Sequence, residues 1–357
     1  MRIAQVSPLI ESVPPRTYGG TERVVSWLVE TMIALGHDVT LFATADSTTT
    51  ATLRPCAPQA LRLDRDCRQP LAYDLVLMRR VLAESHRFDL IHFHTDLLQF
   101  ALFYEHATPC LATLQGRLDL PELQPFFAEF SEMPLVSISD AQRAPLAAAN
   151  WLGTVYHGLP ETLFRTGEGE GDYLAFLGRI APEKGPDAAI RIAHRAGVPL
   201  RMAAKVDRAD ESYFGEIVRP LISLPGIDFI GEIDDESKGA FLGGARALLF
   251  PACWPEPFGI VIIEAMACGT PVIAYGVGSV PEVLEDGVTG FIVRDEDDAV
   301  AAVERVVQLD RARIRSVFET RFSARRMVSD YVRLYQVLIE QHGMGVPPRL
   351  RDELENA

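Results

Sequence analysis

Two glutamates, Glu256 and Glu264, stand eight residues apart and bracket the short stretch Phe258-Gly259-Ile260. Apolar runs at 247–251 and 271–274 flank them and read as buried strands. The pattern between is a loop holding Glu256, then a short helix that opens at Phe258-Gly259-Ile260. The first N–H groups of a helix have no partner inside it, so a helix that starts at the end of a parallel strand attracts anions. A carboxylate on either side accepts from hydroxyls. Donors for a phosphate and acceptors for a polyol therefore fall close together. The plain alternative is a pair of glutamates on a solvated face.

Two cations form a second candidate group. In GRIAPEKG, residues 178–185, Arg179 and Lys184 stand five apart across a proline turn that follows a strand. Such a turn can aim both charges at one point, where they would stabilise a leaving diphosphate as its charge builds. The alternative is two exposed cations on a loop. Gly19-Gly20 precedes a helix with apolar residues at helical spacing, and a glycine pair lets backbone approach a phosphate closely. An ordinary turn needs the same residues. His92 and His94 share one face if the strand at 88–93 continues, but no third ligand is evident nearby in sequence to complete a metal site. Asp64-Arg65-Asp66 lies in a polar stretch and reads as surface, not as a metal site.

The Glu-x7-Glu pattern with Pro-Phe-Gly inside, and then EAMACGTPVIA over 264–274, resembles the retaining nucleotide-sugar glycosyltransferases of family 4, which have the GT-B fold. The likeness continues through GSVPEV at 278–283 and EDGVTGF at 285–291, and takes in YGGTER at 18–23 and the Gly-Arg…Lys-Gly motif. The resemblance implies a soluble, metal-independent enzyme without a cofactor. Glu264 would bind the donor's ribose and Glu256 the hydroxyls of its sugar. Arg179 and Lys184, with the backbone of Phe258, Gly259 and Ile260 and of Gly19-Gly20, would hold the diphosphate. His94 would contact the sugar, whereas His92 reads as structural. The backbone of Gly231, Glu232 and Ile233 would meet the base. Tyr18, Gln115 and Arg143 are candidates on the acceptor side. Relatives often have histidine where Gln115 stands, which leaves its role open, and Arg143 has a carboxylate partner as its alternative. Lys205-Val206-Asp207 replaces glycines that relatives commonly carry.

Composition narrows the choices. The chain has 357 residues, 34 basic and 49 acidic, for a net charge of −15, which argues against binding nucleic acid through its phosphates. Before Gly158 there are twelve arginines, no lysine and seventeen acids, and no basic amphipathic surface is evident there. No apolar run approaches the length of a membrane span, and the first residues enter a strand directly. Five cysteines without metal-ligand spacing fit reduced thiols in the cytoplasm.

The elements that must position these groups alternate strand and helix in both halves. That predicts an α/β chain of two doubly wound, Rossmann-like domains facing a central cleft, with ligands at the strands' C-terminal ends. The expected layout is an acceptor-side domain over 1–158, a linker over 159–171 and a donor-side domain over 172–322. A helix at about 323–341 would return to the first domain, before a polar tail at 343–357. Residues 47–68 read as an irregular excursion, and Thr21 as a cap for a helix starting at Glu22. The reaction expected is transfer of a hexose, UDP-glucose foremost as donor, to a hydroxyl of a saccharide or other acceptor. A phosphorylase or epimerase of the same fold, and a nucleotide-sugar-binding protein without turnover, are the alternatives.

Overall fold

The computed structural model describes residues 1–16 and 19–343. They form two compact units, Met1–Gly158 with Ala324–Gly343, and Leu159–Ser323. The part of the expected tail from 344 on lies outside the described residues.

Among the described residues the first unit contains a seven-stranded parallel sheet. Its strands are β1 (Arg2–Val6), β2 (Asp38–Thr44), β3 (Thr52–Ala57), β4 (Leu90–Phe93), β5 (Cys110–Thr113), β6 (Leu135–Ser137) and β7 (Trp151–Thr154). The order is β3-β2-β1-β4-β5-β6-β7. The central strands are buried along their whole length because helices cover both faces. The direction of winding reverses between β1 and β4, which pair with Val6 opposite Phe93. Beyond them the chains diverge and leave a crevice at the strands' carboxyl ends.

The second unit repeats the plan with β8 (Leu174–Arg179), β9 (Leu200–Lys205), β10 (Ile227–Gly231), β11 (Ala247–Phe250), β12 (Val272–Tyr275) and β13 (Gly290–Val293). Their order is β10-β9-β8-β11-β12-β13, all parallel, so the reversal falls between β8 and β11. Each unit has its own apolar core. Phe42, Phe93 and Phe100 belong to the first, and Phe176, Ile190 and Met202 to the second.

Three expectations need correction. The stretch 47–68 is not wholly irregular, because Thr52–Ala57 forms β3 at the sheet's edge. Pro55 hid it, since a residue without an N–H suits an outer strand better than an inner one. Thr21 does not cap the first helix, which runs Gly20–Ala34 from Gly19 without a side-chain cap. The third correction concerns surface character. The helix Pro70–Glu84 exposes Leu71, Leu75 and Leu82 beside the exposed Arg79 and Arg80. A net charge averaged over the whole half concealed this local amphipathic face.

The stretch 159–171 lies along the second unit. Gly167 N–H donates to the Cys268 carbonyl at 3.0 Å, and Gly169 and Gly171 donate to Gly243 and Gly244. Arg311 reaches the carbonyls of Gly167, Gly243 and Ala245 and the Thr270 hydroxyl, at 2.7–3.1 Å. Its donors fix the strap through backbone carbonyls and one hydroxyl.

In the first unit the helix Ala324–Gly343 packs against the helix Gly20–Ala34. Arg326 opens it by donating to the carbonyls of Tyr156 and His157. Tyr331 and Tyr335, 1% and 0% exposed, point from it into the core.

Candidate functional site

The chemistry-bearing residues of the second unit gather where β8 and β11 end. Arg179 is the last residue of β8, and a short turn, Pro182–Lys184, follows it. Gly185 then takes a left-handed φ of 67° and starts the helix Pro186–Ala196. A Cβ at 185 would lie 2.3 Å from the Pro251 carbonyl oxygen, so only glycine lets this turn press against the end of β11.

That close approach brings Lys184 to Glu256. The ammonium pairs with Glu256 Oε2, and Trp254 Nε1 donates to the same oxygen at 2.7 Å. The ammonium also sits 5.4 Å from the Trp254 ring centroid. Both side chains are mostly buried, 20% and 14% exposed. The structure thus holds a cation and a carboxylate side by side at the switch point.

Arg179 has different partners. It pairs with Glu183 and lies 3.6 Å from Asp210 and 3.9 Å from Asp207. The two cations therefore sit on separate carboxylates and are not aimed at one bare point. Lys205 is the residue that sequence reasoning missed. It is the register partner of Arg179 at the end of β9, and it pairs with Asp207, which also faces Arg179. Its signal was the unexplained Lys-Val-Asp in place of glycines.

The loop before the next helix is clamped from behind. Ser279 N–H donates to the Glu256 carbonyl at 3.1 Å, and Ser279 Oγ to the Phe258 carbonyl at 2.9 Å. Gly278 has φ 60°, and a Cβ there would stand 2.6 Å from both the nitrogen and the oxygen of Glu256. Gly278→Ala should cost about 1–2 kcal/mol through φ alone and should also displace Glu256. Gly287, with φ 72° and nothing within 4 Å, provides the control. Urea denaturation should show a clearly larger loss for Gly278→Ala than for Gly287→Ala, with turnover lost only in the former. Equal behaviour of the two would refute the clamp.

The helix Ile260–Ala267 begins at Gly259, φ 80°, and no side chain caps it. Its opening N–H groups are thus not taken by a capping side chain. Phe258 is 2% exposed and packs towards Phe322, leaving its backbone as the usable part. Glu264, 3% exposed, accepts from Lys238 Nζ at 2.9 Å through Oε1. Lys238, also paired with Asp235 at 3.1 Å, is a second missed cation. It offsets the cost of burying the carboxylate. Gly231 ends β10, and Glu232 and Ile233 lead to Asp234, which caps the helix Asp235–Gly244 by accepting from Ser237 N–H at 2.9 Å.

In the first unit His94 follows β4 at the switch point, its N–H bonded to the Val6 carbonyl at 2.9 Å. It is 2% exposed, and both ring nitrogens are engaged. Nε2 meets Gln5 Oε1 at 2.8 Å, and Nδ1 meets Gln115 Nε2 at 3.2 Å. Burial, with some repulsion from His157, holds its pKa down at about 3, so the ring is neutral. His92 is fully buried between Tyr335 Oη at 2.6 Å and Thr113 Oγ1 at 2.7 Å, and its pKa lies well below the usual value for the same cause. With both nitrogens bonded inside the core, it fills the structural role expected of it. Gln115 acquires a definite partner in His94. Arg143 pairs with Asp140 at 3.0 Å, the carboxylate alternative. Gly19, φ 151°, and Gly20 start the first helix, while Tyr18 lies outside the described residues. Glu22 just beyond is 5% exposed, and burial with the charge of Glu11 pushes its pKa up to about 7.

Known proteins resemble both halves of the chain. The family model described as "Glycosyl transferases group 1" matches residues 161–318, and "Glycosyltransferase Family 4" matches 18–150. A phosphatidyl-myo-inositol mannosyltransferase of Propionibacterium freudenreichii is 32% identical over 180 residues, 50% of this chain and 43% of that protein. An alpha-maltose-1-phosphate synthase of Mycobacterium tuberculosis is 33% identical over 140 residues, 37% of this chain and 36% of that protein. The chain thus aligns with less than half the length of these curated relatives. Among solved structures, a sucrose-phosphate synthase from Thermosynechococcus elongatus superposes with TM-score 0.79 at 19% identity, covering 95% of this chain and 99% of that one. An Anabaena protein, Alr3699/HepE, solved with UDP and glucose, gives 0.73 at 18%, covering 94% and 100%. At these identities the superpositions speak for the fold, and the fold is GT-B. With both halves matched by family models and two parallel-sheet units of this topology, the chain belongs to glycosyltransferase family 4.

Proposed function

We propose that the chain is a retaining, metal-independent hexosyltransferase of the cytoplasm that needs no cofactor and takes a nucleoside diphosphate sugar, UDP-glucose first, as donor. The acceptor is a hydroxyl of a saccharide or glycoconjugate under synthesis. The observation that carries this reading is the Lys184–Glu256 pair at the ends of β8 and β11. A preformed cation beside a carboxylate suits a substrate whose diphosphate and polyol are neighbours. Glu256 takes sugar hydroxyls, while Lys184, Arg179 and the opening N–H groups of the helix Ile260–Ala267 take the diphosphate. Glu264 keeps Oε2 for a ribose hydroxyl, and the backbone of Gly231, Glu232 and Ile233 serves the base. His94 and Gly19-Gly20 serve the sugar and the diphosphate from the first unit, with Tyr18, Gln115 and Arg143 on the acceptor side.

In the step proposed, the acceptor oxygen bonds to the anomeric carbon on the face that the phosphate leaves. The bond from carbon to phosphate oxygen breaks, and the leaving phosphate takes the acceptor's proton. The cations stabilise charge that grows on the diphosphate as the bond lengthens. Likeness to the Anabaena protein, solved with UDP and glucose, supports starting with that donor.

The test is release of nucleotide from a panel of UDP-, GDP- and ADP-sugars in EDTA, wild type beside Arg179→Ala. Slow cleavage of one donor, lost in the variant, is the result expected. Cleavage that requires added metal would overturn the metal-independent step. Absence of both cleavage and binding across the panel would overturn the nucleotide-sugar reading.

A further inference from the structure

The core of the first unit contains an unbroken chain of hydrogen bonds, Gln115–His94–Gln5–Tyr335–His92–Thr113–Tyr331. Gln5 comes from the C-terminal end of β1, His92 from β4, and the two tyrosines from the helix Ala324–Gly343. Apart from Gln115, every member is at most 2% exposed. Water cannot therefore exchange partners inside it, and the polarity at one end fixes that at the other.

Two directions satisfy almost every member. In one, Gln115 donates to His94 Nδ1, and His94 Nε2–H donates to Gln5 Oε1. Gln5 Nε2 donates to Tyr335 Oη, whose proton goes to His92 Nδ1, and His92 Nε2–H donates to Thr113. In the other, each bond is reversed: Tyr335 donates to Gln5 Oε1, Gln5 Nε2 donates to His94 Nε2, and His94 Nδ1–H donates to the Gln115 oxygen. Each direction leaves one buried hydrogen over, on Tyr331 or Thr113 in the first and on the Gln5 amide in the second.

Met32 breaks the tie. Its sulfur lies 3.5 Å from Gln5 Nε2, which is 3.2 Å from Tyr335 Oη. In the first direction an amide hydrogen meets the sulfur, a weak acceptor. In the second the amide oxygen would face it, acceptor against acceptor. We propose that Gln5, held by Met32 and Tyr335, is a positioning residue that locks His94 with its proton on Nε2. Nδ1 is then the ring's acceptor and already takes a donor, the Gln115 amide. A sugar that replaces this amide must bring a hydrogen of its own. The group it presents to His94 is a hydroxyl and not a carboxylate, so the donor is a hexose rather than a hexuronate. This last step rests on the sugar-side role proposed for His94; the lock itself does not.

Long-range nitrogen–proton NMR correlation on unliganded full-length protein carrying nitrogen-labelled histidine tests the lock. Gln115→Ala identifies the His94 signals by their shift. Protons on Nε2 of both His92 and His94 are expected. Protons on Nδ1 of both rings would overturn the proposal. Met32→Leu conserves volume and removes the sulfur, so the second tautomer should appear at His94. A single unchanged tautomer there would overturn the part assigned to Met32. For specificity, glucose and glucuronate are compared on the same nucleotide, with about 100-fold or greater preference in kcat/KM for glucose expected. Comparable rates would overturn the hydroxyl requirement. Cleavage of neither, beside the expected tautomers, counts against glucose as the donor sugar and leaves the lock standing.

Discussion

Lys184→Ala should lower kcat by about 100- to 1,000-fold, roughly 3–4 kcal/mol by analogy with the loss of one preorganised donor to a developing anion. The prediction separates cleanly from unfolding. The Lys184–Glu256 pair is mostly buried, but Glu256 keeps the Trp254 N–H when the lysine is gone. The stability loss should then fall between that of an exposed pair and that of a fully buried one, about 1–3 kcal/mol. The kinetic loss in protein that a urea titration shows to be folded under assay conditions is thus the signature. The donor identified by the panel supplies the assay, and Lys184→Ala with near-normal turnover would remove the lysine from the diphosphate clamp.

The second large effect is acid sensitivity. His92, His94 and His157 are all buried, and burial lowers the pKa of each; His94 and His157 fall to about 3, with Arg326 adding repulsion at His157. In the unfolded chain they titrate near 6.5. The folded state therefore binds fewer protons below that value, and stability is lost as pH falls from about 6.5 towards 3. Glu22 acts in the opposite sense. Its pKa, raised to about 7 from an unfolded value near 4.5, makes the folded state bind one proton more between those limits. Three histidines against one glutamate leave about two protons taken up on unfolding. The contribution of these four groups is a net loss of about 2 kcal/mol between about pH 7.5 and 5.5, and about 5 kcal/mol by about pH 4.5. Urea midpoints across that range measure it. A midpoint that is flat or rises on acidification would contradict neutral burial of these rings.

Much of this molecule is legible in its sequence, for a physical reason. Parallel strands covered on both faces are short apolar runs, so β1, β4 and β11 stand out from their surroundings. Glu256 and Glu264 are legible because loop, helix start and carboxylates fall within a few residues of one another. What escapes is of two kinds. The edge strand β3, with Pro55 inside, lacks the apolar signal because one side of it has no neighbour. The other kind is long-range pairing. Lys205 matters because β9 lies beside β8, and Lys238 because the helix Asp235–Gly244 carries it to Glu264. Gln5 and Tyr335 are 330 residues apart, and no local spacing announces their bond. The sequence also shows two cations and Glu183 on one turn, but not Asp207 and Asp210 beside Arg179, because these follow a different strand.

The last helix has a consequence for how the chain is made. A polypeptide leaves the ribosome from its N-terminus, and most domains can fold as soon as they have emerged. The sheet holding Gln5, His92 and Thr113 cannot, because the hydroxyls that complete its buried hydrogen bonds arrive with Tyr331 and Tyr335. The unit begun second, 159–323, is whole before the unit begun first. Until the middle turns of that helix emerge, the nascent chain has a finished C-terminal sheet and an N-terminal one with its interior polar groups unmet.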